Sequence, residues 1–329
     1  MKKFISVLLT IALTTAIPFA ASGAEITKKL EYNNYSVTIN GQEIQMIDAK
    51  GAVIEPFAIE GNVYMPLRGL SKALGLSVGY DEKTNKITLS EAPLLEKSSE
   101  LTIYLVRHGK TFFNTTDQVQ GFIDSPLTEV GISQAQAVGR SMADIQFTTA
   151  FTGRLGRHID TAQTILDNNK NWTPDIIQNV GWNEWNYGGY EGKTNSEMWS
   201  PIFEANGLTF DSDWTYYNDL VAKLGDRGVA DAIAANDPLK AAESYDEIVA
   251  RAKSAMDELI KVSLDAGGGN VLVVSSGGMI PTMLEIFFPG HEATNIDNCS
   301  VSVLKYADGK LSIDHLNDLS YRNETRDKN

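Results

Sequence analysis

The 329-residue chain has one cysteine, Cys299, so it can close no internal disulfide and must rely on its core alone. A lone cysteine reads as a small buried apolar residue, and no chemistry is assigned to it. Histidine is scarce as well. His108, His158, His291 and His315 are scattered and, with a single thiol, make no ligand cluster, so neither a metal nor another cofactor is expected. Basic residues are in deficit: 28 Lys and Arg face 42 Asp and Glu, a formal charge of −14. Such a chain repels nucleic acid and anionic lipid overall, which excludes a nucleic-acid partner. Any phosphate site must then be made locally, from a few arginines and backbone amides. Beyond the N-terminus no apolar run is long enough to cross a bilayer.

The N-terminus differs. Lys2 and Lys3 precede an apolar run, Phe4 to Ala21, broken only by Ser6, Thr10, Thr14, Thr15 and Pro18; Ser22, Gly23 and Ala24 then lead to the charged Glu25. A basic start, an apolar middle and a small-residue exit describe a secretory signal peptide cut after Ala24. The rival, an uncleaved anchor, is disfavoured because the run is short for a spanning helix. The remaining 305 residues carry −16, since residues 1–24 hold two lysines and no acid. That length favours two domains, in a protein that is secreted or held at the cell surface.

Residues 25–92 read as a small α+β unit. Tyr35–Ile39 alternates, Asn40-Gly41 supplies a hairpin turn, and Glu43–Met46 continues. Val63–Arg68 is strand-like, Leu70–Gly75 has helical spacing with a glycine stop, and Val78–Tyr80 with Lys86–Leu89 looks like a closing hairpin. The hairpin, "VYMPLRGLSKALG" and "VGYDEKTNKITL" resemble the copper amine oxidase N-terminal-like domain, also called a stalk domain. The stretch has no histidine or cysteine, so copper is implausible. The resemblance implies an extracellular spacer, with attachment to the cell envelope as its role. Polar residues 93–100 read as the linker.

From Leu101 onward, strands alternate with helices. Thr102–Val106, Thr149–Thr152 and the continuous apolar run Asn270–Ser275 are strand-like; Ser133–Ala143, Arg157–Leu166, Tyr245–Val262 and Gly278–Phe287 are helical. This is an α/β pattern around a mostly parallel sheet. Residues 193–243, with Trp199, Trp214, Tyr216 and Tyr217, break the alternation and read as a cap.

Val106-Arg107-His108-Gly109 sits where a buried strand ends, the edge at which open α/β sheets bind ligands. A histidine there presents a ring nitrogen, an arginine can fork onto phosphate oxygens, and the glycine lets the backbone turn close to an anion. Alone the tripeptide says little. In order, however, "LVRHGKTFFN", "QGFIDSPLTEVGISQAQAVG", "FTGRLGRHIDTAQTI", "WNEWNYGGYEG", "VVSSGG" and "CSVSVL" resemble the histidine phosphatase family, which includes the cofactor-dependent phosphoglycerate mutases. The resemblance runs from about Leu101 to Leu319 and implies a phosphoglycerate mutase-like three-layer sandwich. It implies His108 as the nucleophile that becomes phosphohistidine. Arg107 and Arg157 match the phosphate-clamping pair, and Asn114 a further phosphate contact. Glu184 matches the acid that protonates the leaving oxygen, with Glu191, seven residues on, as its competitor. Arg154 reads as solvated, and Trp182 and Trp185 as wall packing.

One position departs. Where the family reads Ser-His-Gly-Gly, this chain reads Ser275-Ser276-Gly277-Gly278. A serine hydroxyl donates a neutral hydrogen bond of ~0.5–1.5 kcal/mol in place of a charged one of ~1.5–3 kcal/mol, and losing such a donor typically costs ~10²–10³ in rate. His158 follows Arg157 on a helix and should point roughly 100° away from it. His291 should lie ~13 Å off, beyond a helix, and His315 falls near a C-terminal strand. No substitute imidazole is expected. Gly277, Gly278 and the helix they precede still suit an anion alongside Ser276. The resemblance therefore implies an exported phosphomonoesterase acting on a small phosphorylated substrate, slowed or altered by Ser276. The alternative is a non-catalytic phospho-ligand-binding module on a stalk; a glycolytic mutase is disfavoured, because an exported protein lacks that pathway's substrates. For the leader, intact-mass measurement on secreted protein should give a chain starting at Glu25, and a mass that retains residues 1–24 would mean an anchor.

Overall fold

The computed structural model describes residues 29–39, 41–44, 46, 54–74, 76–81, 84–91, 97–171, 173–290 and 295–324. The leader at 1–24, Asn40 of the hairpin turn and His291 lie outside the described residues. Among the described residues no helix is long and apolar enough to cross a membrane.

In the N-terminal region β1 (Val37–Ile39) and β2 (Gln42–Ile44) pair antiparallel across a turn that holds Gly41 at φ 83°. A strand that sequence patterning passed over, β3 (Phe57–Ile59), pairs with β4 (Asn62–Tyr64). The stretch read as one strand, Val63–Arg68, divides. It leaves the sheet at Tyr64, and α1 (Leu67–Ala73) begins after Pro66, whose ring presets the dihedral of a first helical turn. β5 (Leu76–Asp81) and β6 (Lys86–Glu91) form the closing antiparallel hairpin.

The larger region is built on six strands. β7 (Leu101–Arg107), β8 (Phe147–Thr152), β9 (Ile176–Gln178) and β10 (Gly269–Ser275) run parallel; β11 (Val301–Ala307) lies antiparallel on β7 and β12 (Lys310–Asp318) on β11, giving the order β12-β11-β7-β10-β8-β9. The short α2 (Phe112–Thr115) follows β7. α3 (Glu129–Ser141), α4 (Gly156–Asp167) and the C-terminal turn α9 (Ser320–Asn323) cover one face. α7 (Tyr245–Asp265) and α8 (Met279–Phe287) cover the other. β10 shows why its sequence is uninterruptedly apolar. Val271 and Val273 pack with Ala252 and Leu259 of α7, while Leu272 and Val274 pack with Val138, Ile165 and Tyr321 on the opposite side. Both faces are dry, and truncating Leu272 to Ala should cost about 2–5 kcal/mol.

Helix starts are written locally. Thr128 caps α3 by accepting from Gly131 N, and Ser244 with Glu247 forms a capping box on α7. Gly131 also lets two backbones touch: a Cβ there would stand 2.1 Å from the Lys110 carbonyl oxygen, so the loop after β7 rests directly on α3.

Within residues 193–243, the stretch read as a cap, lie α5 (Asn195–Ala205) and α6 (Tyr217–Asn236), the latter kinked at Gly225 (φ 64°, ψ 169°). Trp199 makes edge-to-face contacts with Phe203, Trp214 and Tyr217 at centroid distances of 6.4, 5.4 and 5.6 Å, the geometry the ring quadrupole favours. Just past the kink, Asp226 hydrogen-bonds Glu285 of α8, and Glu285 also accepts from the Tyr245 hydroxyl at 3.0 Å. Burial, then the bond and the charge of Glu285, push the Asp226 carboxyl up to about 7, against about 3.9 for a free side chain. A raised folded value means the shared proton stabilises the cap fully below about pH 4, and this contribution is lost as pH rises through about 7. Asp226→Asn keeps the bond without the charge. Thermal melts from pH 5 to 8 should therefore decline in wild type and stay flatter in this variant; parallel declines would reject the assignment.

Candidate active site

The carboxyl ends of β7, β8 and β10 meet at one edge of the sheet, and His108 stands there, 3 % exposed. Its backbone N–H donates to the Ser275 carbonyl at 3.0 Å, and its own carbonyl accepts from Asn298 Nδ2 at 2.9 Å. The next turn, with buried Cys299 at φ 54°, donates from the Cys299 N–H to the Arg107 carbonyl at 2.9 Å. The ring is therefore fixed from both neighbouring strands. Nδ1 lies 2.8 Å from the Gly109 carbonyl oxygen. A carbonyl only accepts, so Nδ1 carries the hydrogen and Nε2 presents its lone pair. Desolvation, then the Arg157 and Arg107 charges, hold the ring well below the usual histidine range. It is a neutral imidazole, the form that attacks an electrophile.

Arg157 is buried and Arg107 half-buried, and desolvation lowers the proton affinity of each. Arg107 donates from Nη1 to the Ile296 carbonyl at 2.6 Å, while its Nε has no partner. Its guanidinium packs on Gly277, where a Cβ would come within 3.0 Å of Cζ, so only glycine leaves the plane its room. Arg157 is held more tightly. Nη1 donates to the Ile123 carbonyl (2.9 Å) and Asp124 Oδ1 (3.1 Å); Nη2 donates to the Gly121 (2.7 Å) and Gln120 (3.3 Å) carbonyls. All four terminal hydrogens are taken, leaving Nε–H alone. Of the pair read as phosphate clamps, Arg157 thus ties down the 120–124 loop and keeps one donor without a partner.

Glu184, 7 % exposed, accepts from Trp185 N at 2.9 Å and Gly278 N at 2.8 Å. The amide of Gly278, the residue before α8, is thus taken by a carboxylate. Each Glu184 oxygen retains a lone pair for a proton. Glu191 accepts from Gly121, Phe122, Ile123 and Tyr187 N–H groups and braces the loop that holds Arg157. Asn114 uses Oδ1 to accept from Thr111 N in the capping box of α2, and Asn298 Nδ2 donates to the same oxygen at 3.4 Å. Trp182 and Trp185 are buried wall residues, Trp185 donating to Thr282 Oγ1 at 3.0 Å. Arg154 is exposed.

The sequence reading placed His158 away from the site, and the structure overturns this. His158 is fully buried, its ring centroid is 5.5 Å from that of His108, and its Nε2 is 2.6 Å from Ser276 Oγ. The 100° step about the helix axis holds, but α4 points its N-terminus at the site, so residues of its first turn flank the site on both sides. His315 lies on edge strand β12 beside Asp314, stacked on Tyr321. Asp124 and Arg251 carried no signal in sequence. Arg251 donates to the Val180, Gly181, Asn183 and Glu184 carbonyls and pairs with Glu243 at 2.8 Å, which holds the Glu184 loop against α7. Among the described residues no three His, Cys, Asp or Glu side chains gather as a metal site.

A neutral buried histidine under the charge of two guanidiniums, at the carboxyl edge of this sheet, is the arrangement expected of the histidine phosphatase superfamily (branch 1). The chain belongs to that superfamily, whose model matches residues 103–220 and 204–319. Residues 20–89 and 38–105 match the copper amine oxidase N-terminal domain. A metal-independent phosphoserine phosphatase of Arabidopsis thaliana is 28% identical over 225 residues, covering 68% of this chain and 84% of the relative. A 2,3-bisphosphoglycerate-dependent phosphoglycerate mutase of Bifidobacterium longum is 28% identical over 193 residues, covering 56% of this chain and 76% of the relative. The crystal structure of a phosphoglycerate mutase from Bacillus anthracis aligns at TM-score 0.63 with 32% identity, over 70% of this chain and 99% of that one. The fold is thus phosphoglycerate mutase-like, as the motifs implied.

Arg251→Met should test the hold on the Glu184 loop. It removes charged hydrogen bonds worth about 2–3 kcal/mol together, so the melting temperature should fall by about 5–10 °C and kcat should fall with it. Unchanged melting and turnover would show that the loop stands without Arg251.

Proposed function

We propose that the chain is an exported phosphomonoesterase working through a phosphohistidine. The observation that carries this reading is the neutral His108 ring, its Nε2 lone pair free, between the Arg107 and Arg157 charges. Nε2 attacks phosphorus and the ester P–O bond breaks. Glu184, protonated, passes its proton to the departing oxygen, after which a water attacks the phosphohistidine, the P–N bond breaks, and the water's proton returns to Glu184. Arg107 donates to the equatorial oxygens, where charge is spread in flight. Glu184 takes this role over Glu191, whose oxygens are consumed by backbone N–H groups. Relatives named as phosphatases support hydrolysis.

The leader pattern and the match to the copper amine oxidase N-terminal domain support display outside the cytoplasm. In this arrangement residues 25–92 form a stalk that attaches to the envelope, 93–100 a linker, and 101–329 the phosphatase domain with its cap at 193–243.

An aryl phosphate serves as the generic substrate. Wild type should release phosphate and, on rapid quenching, show a base-stable, acid-labile phosphoenzyme; His108→Ala should lose both. Because burial and the arginines keep the ring uncharged, the acid limb of kcat/KM should lie below pH 6.5. Phosphate binding without turnover or phosphoenzyme from pH 5 to 8 would reject hydrolysis in favour of a phospho-ligand-binding module.

A further inference from the structure

The strand end beside His108 carries a serine, and a second buried imidazole comes to it from another element. Three observations bear on this. His158 and Ser276 are both fully buried, with Nε2 and Oγ 2.6 Å apart. The His158 ring lies beside that of His108, 5.5 Å between centroids and 31° between planes, while its Nδ1 has no partner. Space for the ring is made by Gly153 at the end of β8, where a Cβ would stand 2.3 Å from His158 Nδ1 and 2.9 Å from Cε1. Gly153 has no positive φ to demand glycine, so what the position provides is room, for this ring and for Asn183 Oδ1, 2.7 Å from the same Cβ.

We propose that His158 and Ser276 act as one unit in phosphoryl transfer, the ring donating from Nε2–H to Ser276 Oγ so that the hydroxyl's own hydrogen points at an oxygen of the phosphoryl group on His108. Resting on the phosphohistidine reading, the inference makes Ser276 a catalytic residue and His158 the positioning residue behind it. Desolvation, then the charge of Arg157, keep the His158 ring neutral; a neutral ring has one N–H, and Nε2 is the atom with a partner to receive it. The oriented hydroxyl needs no reorganisation when charge develops, which is what makes a fixed donor effective. A histidine placed at position 276 with His158 in place would press two rings into the space of one.

The test compares kcat and KM for aryl phosphate in the full chain. Ser276→Ala and His158→Ala should each lower kcat about 10²-fold with KM changed less than about threefold, and the double variant should be no slower than Ser276→Ala alone. His158→Gln, whose amide can donate to the same oxygen, should recover part of the loss. Ser276→His should be slower than wild type, whereas His158→Ala with Ser276→His, which moves the imidazole to the strand, should regain activity. Melting temperatures identify variants that fail by unfolding, and His158→Gln, which keeps a long polar side chain at the position, then supplies the comparison. The inference is overturned if folded His158→Ala keeps kcat within twofold of wild type, if the two alanine losses multiply independently, or if Ser276→His alone exceeds wild type. In each of those results the phosphatase reading survives; no turnover in wild type would remove both.

Discussion

The site depends on keeping water away from positive charge. Arg157, His108 and His158 are buried at one edge of the sheet with Arg107 half-buried beside them, and desolvation presses each of them towards its neutral form. The two groups that can yield, the imidazoles, are neutral. The two that cannot are held by carbonyl dipoles and few carboxylates: Ile296 for Arg107, and the 120–124 backbone with Asp124 for Arg157. The carboxylates of Asp124, Glu184 and Asp297 act on them as well, so their charge is balanced in part. An anion entering this edge still meets two guanidiniums, although the whole chain carries −14.

Much of the fold was legible because a parallel sheet covered on both faces forces continuous apolar strands. Asn270–Ser275 in sequence became β10 with one residue added, and Arg157–Leu166 became α4 with one residue added at each end. The N-terminal region was harder. Phe57–Ile59 is three residues long, too short for alternation to register, and Pro66 converts an apparent strand into a helix start.

At the site, the motifs located His108, Arg107, Arg157 and Glu184 but not how they are held. Asp124, Glu191 and Arg251 act by binding backbone atoms, and a backbone partner leaves no trace in composition or spacing. His158 was misplaced for a geometric reason. Angles around a helix axis separate residues along its flank, yet they do not separate residues at an end that faces the ligand. Gly153 is the residue in the sequence that agrees with the ring's true position, and its meaning depends on knowing that β8 and α4 meet there.

Cys299 shows what a lone thiol can be when it forms part of a turn beside reacting groups. Its N–H holds the Arg107 carbonyl, its side chain lies in the core with Val301 and Tyr321, and burial pushes the thiol up to about 12. Thiolate is the species that oxidants and disulfides attack. The folded chain offers them none, so copies can meet in an oxidising medium without cross-linking, and the turn beside His108 cannot be remodelled by redox chemistry while the fold persists.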